Sequence, residues 1–228
     1  MPIVRLSYTV DADALANEAR IADEEDRERF SELAREAEAR PGAAVYESRS
    51  VKAIDGDNVV IDGVTIDGVT FTARPLSKLF KQETTVYPYV ATCGSEMAAY
   101  GKKLSDPLEQ YWWDLLMRNA VGAARKALFE EIERVAGYKP TSANPGSIES
   151  WPISNQPALF SLIGDVEKLI GVTIAPSFLM VPLKSVSGIL FQSEGGFTHN
   201  CCLCERQDCP GRSAPFDAAL KAELDSNM

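Results

Sequence analysis

Positive charge is scarce in this sequence. Its 23 Lys and Arg face 33 Asp and Glu, giving a net charge of −10 and a pI near 4.7. Such a chain lacks the positive field that phosphates demand, which argues against a nucleic-acid partner and against an anionic membrane surface. Long apolar runs are missing too. No stretch approaches the ~18 residues of a membrane span. The opening MPIVRLSYTV has no charged start followed by an apolar run, so no secretory leader is expected and a cytoplasmic location is. There is no phosphate-binding glycine loop, no serine-nucleophile motif and no zinc-protease helix. Histidine occurs once, as His199, and cysteine five times. Secreted frameworks spread their cysteines to close loops. Here Cys93 stands alone and the other four fall within nine residues, a pattern that points to a metal in a reducing compartment.

What is present reads as one α+β domain over residues 1–228, with a helical segment at about 11–40 and a cysteine-rich tail at about 197–228. In the first segment Phe30, Leu33, Ala34 and Ala37 share one helical face, and the charges of DEEDRERFSELAREAEAR form the solvated opposite one. Residues 43–73 carry Val/Ile/Thr runs separated by Asp55-Gly56, Asp62-Gly63 and Asp67-Gly68, the chemistry of hairpin turns. The near-repeat VIDGVTIDGVT lacks the spacing and terminal Glu of a calcium loop. ETTVYPYVATCG predicts a buried strand ending at Cys93-Gly94. Asp106 as N-cap, Pro107 and Glu109 then open a long helix that Gly137 and Pro140 stop. Its expected buried face is Met117, Val121, Ala124, Leu128, Ile132 and Val135, and its small residues Ala120, Gly122, Ala123 and Ala127 allow another backbone close. Tyr111, Trp112 and Trp113 are expected in a core or interface. Then come a Pro/Ser/Asn-rich loop of about twenty residues, a helix over about 157–170 ended by Gly171, two strands around a turn, and a short helix in APFDAALKAEL.

The cluster HNCCLCERQDCPGR holds a C-x2-C pair, Cys201 and Cys204, with Cys209 following after four intervening residues. A C-x2-C turn lets two thiolates meet one centre, and soft thiolates select zinc or iron–sulfur. Adjacent Cys201 and Cys202 point different ways in an extended chain, so the favoured set is Cys201, Cys204 and Cys209 plus one more ligand: Cys93, Cys202 or His199. A disulfide, a redox pair and a Cys201–His199 nucleophile are the weaker readings.

NPGSIESWPISNQPALFSLIGDVEKLIGVTIAPSFLMVPLKSVSGILF, with FTARPLSKLF and VATCGSEM before it, resembles the activation (reactivation) domain of cobalamin-dependent methionine synthase. The correspondence runs through Pro145-Gly146, the Trp151-Pro152 helix start and the Ser-Val-Ser-Gly turn, and covers most of residues 43–191. The resemblance implies a curved α+β fold around a twisted antiparallel sheet, in a freestanding member with a cysteine-rich tail. It implies docking on a corrinoid-binding protein or methyltransferase, whose cobalt is restored from Co(II) by an electron and the methyl group of S-adenosylmethionine.

The same resemblance marks Asn144, Gly146 and Trp151 as candidate ligand-binding residues, and Lys184, Ser185 and Ser187 as donors to a corrinoid presented by the partner. It also marks a departure. The family's loop arginine and tyrosine are Ser142 and Ser147 here, so the cation that would meet a ligand carboxylate is missing and S-adenosylmethionine binding is in doubt. Cys93 falls on the family's Thr-x-Gly turn, which makes it the first candidate for the distant metal ligand. A corrinoid activator needs an electron, which favours iron–sulfur over zinc. The expected function is therefore reductive reactivation of a corrinoid methyltransferase system. The alternatives are a zinc-stapled, non-redox binding module or chaperone for a corrinoid protein, or an S-adenosylmethionine-binding activation domain with a remodelled pocket.

Overall fold

The computed structural model describes residues 2–5, 8–63, 68–148, 150–193, 197–206, 208–209 and 212–226. Its frame is an eight-stranded antiparallel sheet organised around β6 (Thr85–Thr92), which is buried at every position after its first. One edge of β6 pairs along its length with β10 (Ser185–Phe191), and β10 in turn carries the short β7 (Thr141–Ala143). The other edge is shared. Residues 89–92 pair with β2 (Ala43–Tyr46), which continues to β1 (Ile3–Arg5). Val86 and Thr85 pair with β3 (Arg49–Asp55), which leads to β4 (Asn58–Ile61) and β5 (Val69–Thr72). Pro88 has no N–H to give. On the shared edge it falls in the gap between the β2 and β3 ladders, where its carbonyl accepts from Glu47 N at 3.1 Å. This fork, with a bulge in β3 between Val51 and Ala53, curls the sheet.

Helices cover both faces, as strand alternation dictates. Ala44, Tyr46, Tyr87, Tyr89 and Ala91 face α5 (Pro107–Ala136). Val45 and Val90 face α6 (Gln156–Ile163) and α7 (Val166–Ile170). The bounds of α5 are those its capping residues predict: Asp106 Oδ1 accepts from Leu108 N and Glu109 N, and Gly137 takes the left-handed C-cap at φ 77°. Its buried line is Trp113, Leu116, Ala120, Ala124, Leu128 and Ile132, whereas Val135 is exposed and Met117 and Val121 are half-buried. Steps of four residues drift around a 3.6-residue helix. The first half of α5 therefore packs on helices and the second half on the sheet. The close backbone approach occurs at Ala120 and Ala124, where a Cβ on Gly42 would lie 3.2 Å from Ala120 O. Gly122 instead faces open space.

Two expected helices are each two. Residues 11–40 divide into α1 (Ala12–Glu18) and α2 (Glu24–Glu38) because Asp23 caps a fresh start, accepting from Glu25 N and Asp26 N. The predicted face Phe30, Leu33, Ala34 and Ala37 is buried. Residues 156–170 divide into α6 and α7 because Gly164, at φ 111°, leaves the helical region and Asp165 caps again. The Pro/Ser/Asn-rich loop contains β7, and the two strands expected after Gly171 are three: β8 (Thr173–Ile174), β9 (Met180–Val181) and β10. The hairpin expected at Asp55-Gly56 joins β3 to β4. The β4–β5 connection spans 62–68, and Asp67 lies outside the described residues.

Trp112 and Trp113 are core, with Trp113 Nε1 donating to Met97 O at 2.9 Å, while Tyr111 is exposed. α3 (Arg74–Leu79) and α4 (Ser95–Gly101) flank β6 in sequence. The cysteine-rich end is not a free tail. It closes on α8 (Ala218–Asp225), whose Leu220 and Leu224 enter the core beside Phe191 and Phe197. Arg74 Nη1 donates to Asp225 O at 3.1 Å, and Lys78 Nζ donates to Ser226 O at 2.8 Å and to Glu223 O. No helix among the described residues is long and apolar enough to cross a membrane.

Candidate functional site

A cavity of about 640 Å³ opens where four segments meet: one flank of α5, the loop 144–147, the start of β10 and the cysteine segment. It gathers residues that lie far apart in sequence. Asn144, Gly146, Ser185, Ser187, His199, Cys201 and Cys204, all candidates from the sequence, line it. Trp151 and Lys184 do not. Trp151 lies behind the loop, fully buried and edge-on to Phe71 at 5.6 Å, and its carbonyl accepts from Gly146 N at 2.7 Å. Gly146 turns there at φ 81°, a conformation suited to glycine. Lys184 pairs with Asp114 at 2.9 Å, and its carbonyl accepts from Cys93 N.

Asn144 is the knot that holds the loop to the sheet. Its Nδ2 donates to Ser187 O at 2.6 Å and to Tyr89 OH at 2.9 Å. Its Oδ1 accepts from Ser142 Oγ at 3.0 Å and from Asn200 Nδ2 at 2.5 Å. Tyr89 OH and Ser142 Oγ lie 2.9 Å apart, so the three side chains close a ring of hydrogen bonds in which each can donate to the next. Two donors and two acceptors exhaust an asparagine amide. Asn144 is therefore structural, and no part of its side chain remains for a ligand. The same network settles Asn200. Its Nδ2 is committed to Asn144, so the atom left over is Oδ1, buried and without a hydrogen-bond partner.

Besides Asn200, three polar lining residues escaped the sequence reading. Gln156, 4% exposed at the start of α6, has a buried Oε1 without a partner. Arg118 and Arg125 lie seven residues apart on α5, hence on one stripe, with Val121 and Gly122 between them. Arg118 is exposed and pairs with Glu18. Arg125 is half-buried, its guanidinium 4.7 Å from the Phe129 ring centre and its Nε buried without a partner. A buried polar atom left unpaired costs about 1–3 kcal/mol, so three around one cavity mark where a ligand would bring compensation. The seven-residue spacing of the arginines around a glycine was the available signal.

Among the lining residues there are two arginines and no carboxylate, in a protein of net charge −10. His199 accepts from Cys201 N at its Nδ1, 3.1 Å away, so the neutral ring carries its proton on Nε2. Burial, helped by the Arg125 charge, holds its pKa below the ordinary value. Ser185 Oγ lies 2.7 Å from Pro182 O and 2.9 Å from Thr92 Oγ1.

The cysteines divide. Cys201 and Cys204 line the cavity, and Cys201 Sγ accepts from Ser213 N at 3.4 Å. Cys202 is buried beside Thr198 Oγ1 at 3.3 Å. Cys209 is half-buried and does not line the cavity. Cys93 sits in another core with Met97, Trp113 and Leu116, where burial pushes its thiol up to about 11. Among the described residues no three His, Cys, Asp or Glu side chains gather closely enough to hold a metal ion. Cys93 as the distant ligand is thus corrected: strand parity continues Tyr89 and Ala91 onto the face beneath α5. The donor set Cys93, Cys201, Cys204 and Cys209 fits neither an iron–sulfur cluster nor a closed zinc site. What holds the cysteine loop is Arg212, whose guanidinium donates to the carbonyls of Cys201, Cys204, Arg206 and Ala214.

No protein-family model matches the sequence, and no curated protein matches it. Among solved structures, the MetH reactivation domain bound to AdoHcy is similar with a TM-score of 0.58 at 18% identity, over 80% of this chain and 66% of that one. The likeness is one of architecture: the chain has the curled antiparallel sheet and flanking helices of a methionine synthase reactivation domain.

Proposed function

We propose that this chain is an accessory protein in the reductive reactivation of a corrinoid-dependent methyltransferase, presenting the cavity face to the partner's cobalt. The observation that carries the reading is the placement of the cavity, in a fold similar to the MetH reactivation domain, beside an exposed apolar hairpin. Phe178, Leu179, Val181 and Leu183 lie on or next to β8 and β9 and are 37%, 46%, 47% and 74% exposed, while Met180 and Ser185 of the same stretch line the cavity. Contiguous exposed apolar side chains rimmed by polar ones suit a protein interface.

In this reading the cavity holds an adenosyl-sulfur amino acid, the class of compound bound in the MetH structure. An external reductant gives Co(II) one electron to form Co(I). The Co(I) pair then takes the sulfonium methyl group of S-adenosylmethionine, leaving methylcobalt and AdoHcy. The protein's part is to position the donor and to exclude water. The iron–sulfur electron expected from the cysteines is not part of this reading, because their sulfurs are not gathered.

The test is complementation. Purified protein is added to cob(II)alamin-loaded methionine synthase that lacks its own reactivation domain, with S-adenosylmethionine and a chemical reductant. The reading requires the cob(II)alamin absorbance to give way to that of methylcobalamin faster than without the protein, and Leu183→Asp to slow it. An unchanged rate at saturating protein removes the reading for that class of partner.

A further inference from the structure

The loop arginine of the resembling family is Ser142 here, and Ser142 is spent in the Asn144 ring. The cavity nevertheless carries a cation in a new place. Arg125 reaches it from α5, with Nε buried and without a hydrogen-bond partner. Among the described residues no carboxylate is paired with it. Facing elements supply the opposite chemistry. Gln156 Oε1 from α6 and Asn200 Oδ1 from the cysteine segment are acceptors without donors, on side chains 4% and 8% exposed. The Asn200 amide cannot turn to hide its oxygen at no cost. Asn200 is pinned through Nδ2 to Asn144, which is itself fixed by four bonds.

A lone anion would satisfy Arg125 and leave both acceptors bare. A lone cation would do the reverse. A group carrying both charges on one carbon answers all three. We infer that the cavity binds the α-amino-acid end of its ligand, with the carboxylate on Arg125 and the ammonium on Gln156 Oε1 and Asn200 Oδ1. Arg118, partly held by Glu18, adds positive potential at the mouth. Gly122, where a Cβ would meet nothing within 4 Å, leaves the space between the arginines open for the rest of the molecule. The anchor for the carboxylate has moved from a loop to a helix. This assignment rests on the adenosyl-ligand part of the reading above, but its test needs no corrinoid and no partner.

Calorimetric titrations compare AdoHcy with methylthioadenosine, which keeps the nucleoside and thioether but has no amino acid. Affinity for AdoHcy is expected to exceed that for methylthioadenosine at least tenfold. Arg125→Met should abolish that preference by weakening AdoHcy alone, and Arg125→Lys should restore part of it. Gly122→Trp, which fills the cavity and leaves Arg125 in place, should remove both ligands. Far-UV circular dichroism and the melting temperature establish that each variant is folded. The inference is overturned if the folded wild type binds both compounds equally, if it binds no AdoHcy, or if Arg125→Met leaves the preference intact. AdoHcy selectivity without complementation would retain this assignment and remove the corrinoid role. Complementation with equal binding of the two ligands would do the opposite.

Discussion

Alkylation of the five thiols gives a quantitative test of how the chain distributes its cysteines. Cys93 is fully buried and its pKa stands at about 11 against an ordinary 9.0, because the thiolate would have to form in the apolar space between β6, α4 and α5. At pH 8 that shift alone lowers the thiolate fraction from about one in ten to about one in a thousand, a hundredfold loss of the reactive form. Enclosure slows the reagent further, since Cys93 then reacts only through opening of the fold. Cys204 is exposed and Cys201 half-buried at the cavity. Reduced protein in the presence of chelator, treated with iodoacetamide at pH 8 and digested for mass spectrometry, should therefore label Cys204 first and Cys93 more than a hundredfold more slowly. Adding denaturant should erase the difference. If native Cys93 labels alongside Cys204, the strand-parity argument that separates it from the cysteine loop is wrong. The same burial predicts a stability term. The unfolded chain releases the thiol proton above about pH 9 while the native chain keeps it, so stability falls as pH rises from 9 through 11, by about 2–3 kcal/mol.

Other expectations follow from the site and the core. Asn144→Asp is nearly isosteric but replaces two N–H donations with an oxygen facing Ser187 O; denaturant titration should show a loss of about 3 kcal/mol or more, the price of a buried charge and broken partners. Gly122→Ala meets nothing within 4 Å on an exposed stretch of α5 and should raise stability by about 0.5–1 kcal/mol. Gly101→Ala would bring a Cβ within 2.5 Å of Trp113 Cδ1 and should cost about 1–3 kcal/mol, with a changed tryptophan emission. The depressed pKa of His199 means that the unfolded chain takes up a proton below about pH 6.5 that the native ring refuses. Stability is thus lost as pH falls from 6.5 toward the native pKa. Denaturation at pH 7.5 and 5.5 should show a larger difference in wild type than in His199→Phe.

Local chemistry was legible where one residue type has one job. Asp106, Pro107 and Gly137 bound α5 in the sequence as they do in space, and the β6 run was readable as a buried strand. The helix breaks were harder to see. Asp23 sits in an acidic run that hides its role as a cap, and Gly164-Asp165 lies inside an apolar spacing that continues across it. β7 was illegible because Thr141, Ser142 and Ala143 carry no alternation; they are a strand only because β10 offers an edge. At the site, the resemblance located the loop and the turn. It placed ligand roles on Asn144, whose amide is consumed internally, and on Trp151, which is core. The orphaned oxygens of Gln156 and Asn200 and the buried Nε of Arg125 could not be read at all, since a missing partner is a property of three dimensions. The C-x2-C spacing is a local signal and says nothing of a distant ligand's side of the sheet.

The cysteine segment is stitched down at both ends: β10 precedes it, α8 follows it, and Asp217 N donates to Cys202 O at 2.9 Å. A shortened chain ending before α8 would strip the cover from Phe191 and Phe197 along with the helix. The thiols consequently cannot be trimmed away by proteolysis without unseating the core behind them, and whatever they do is welded to the integrity of the whole.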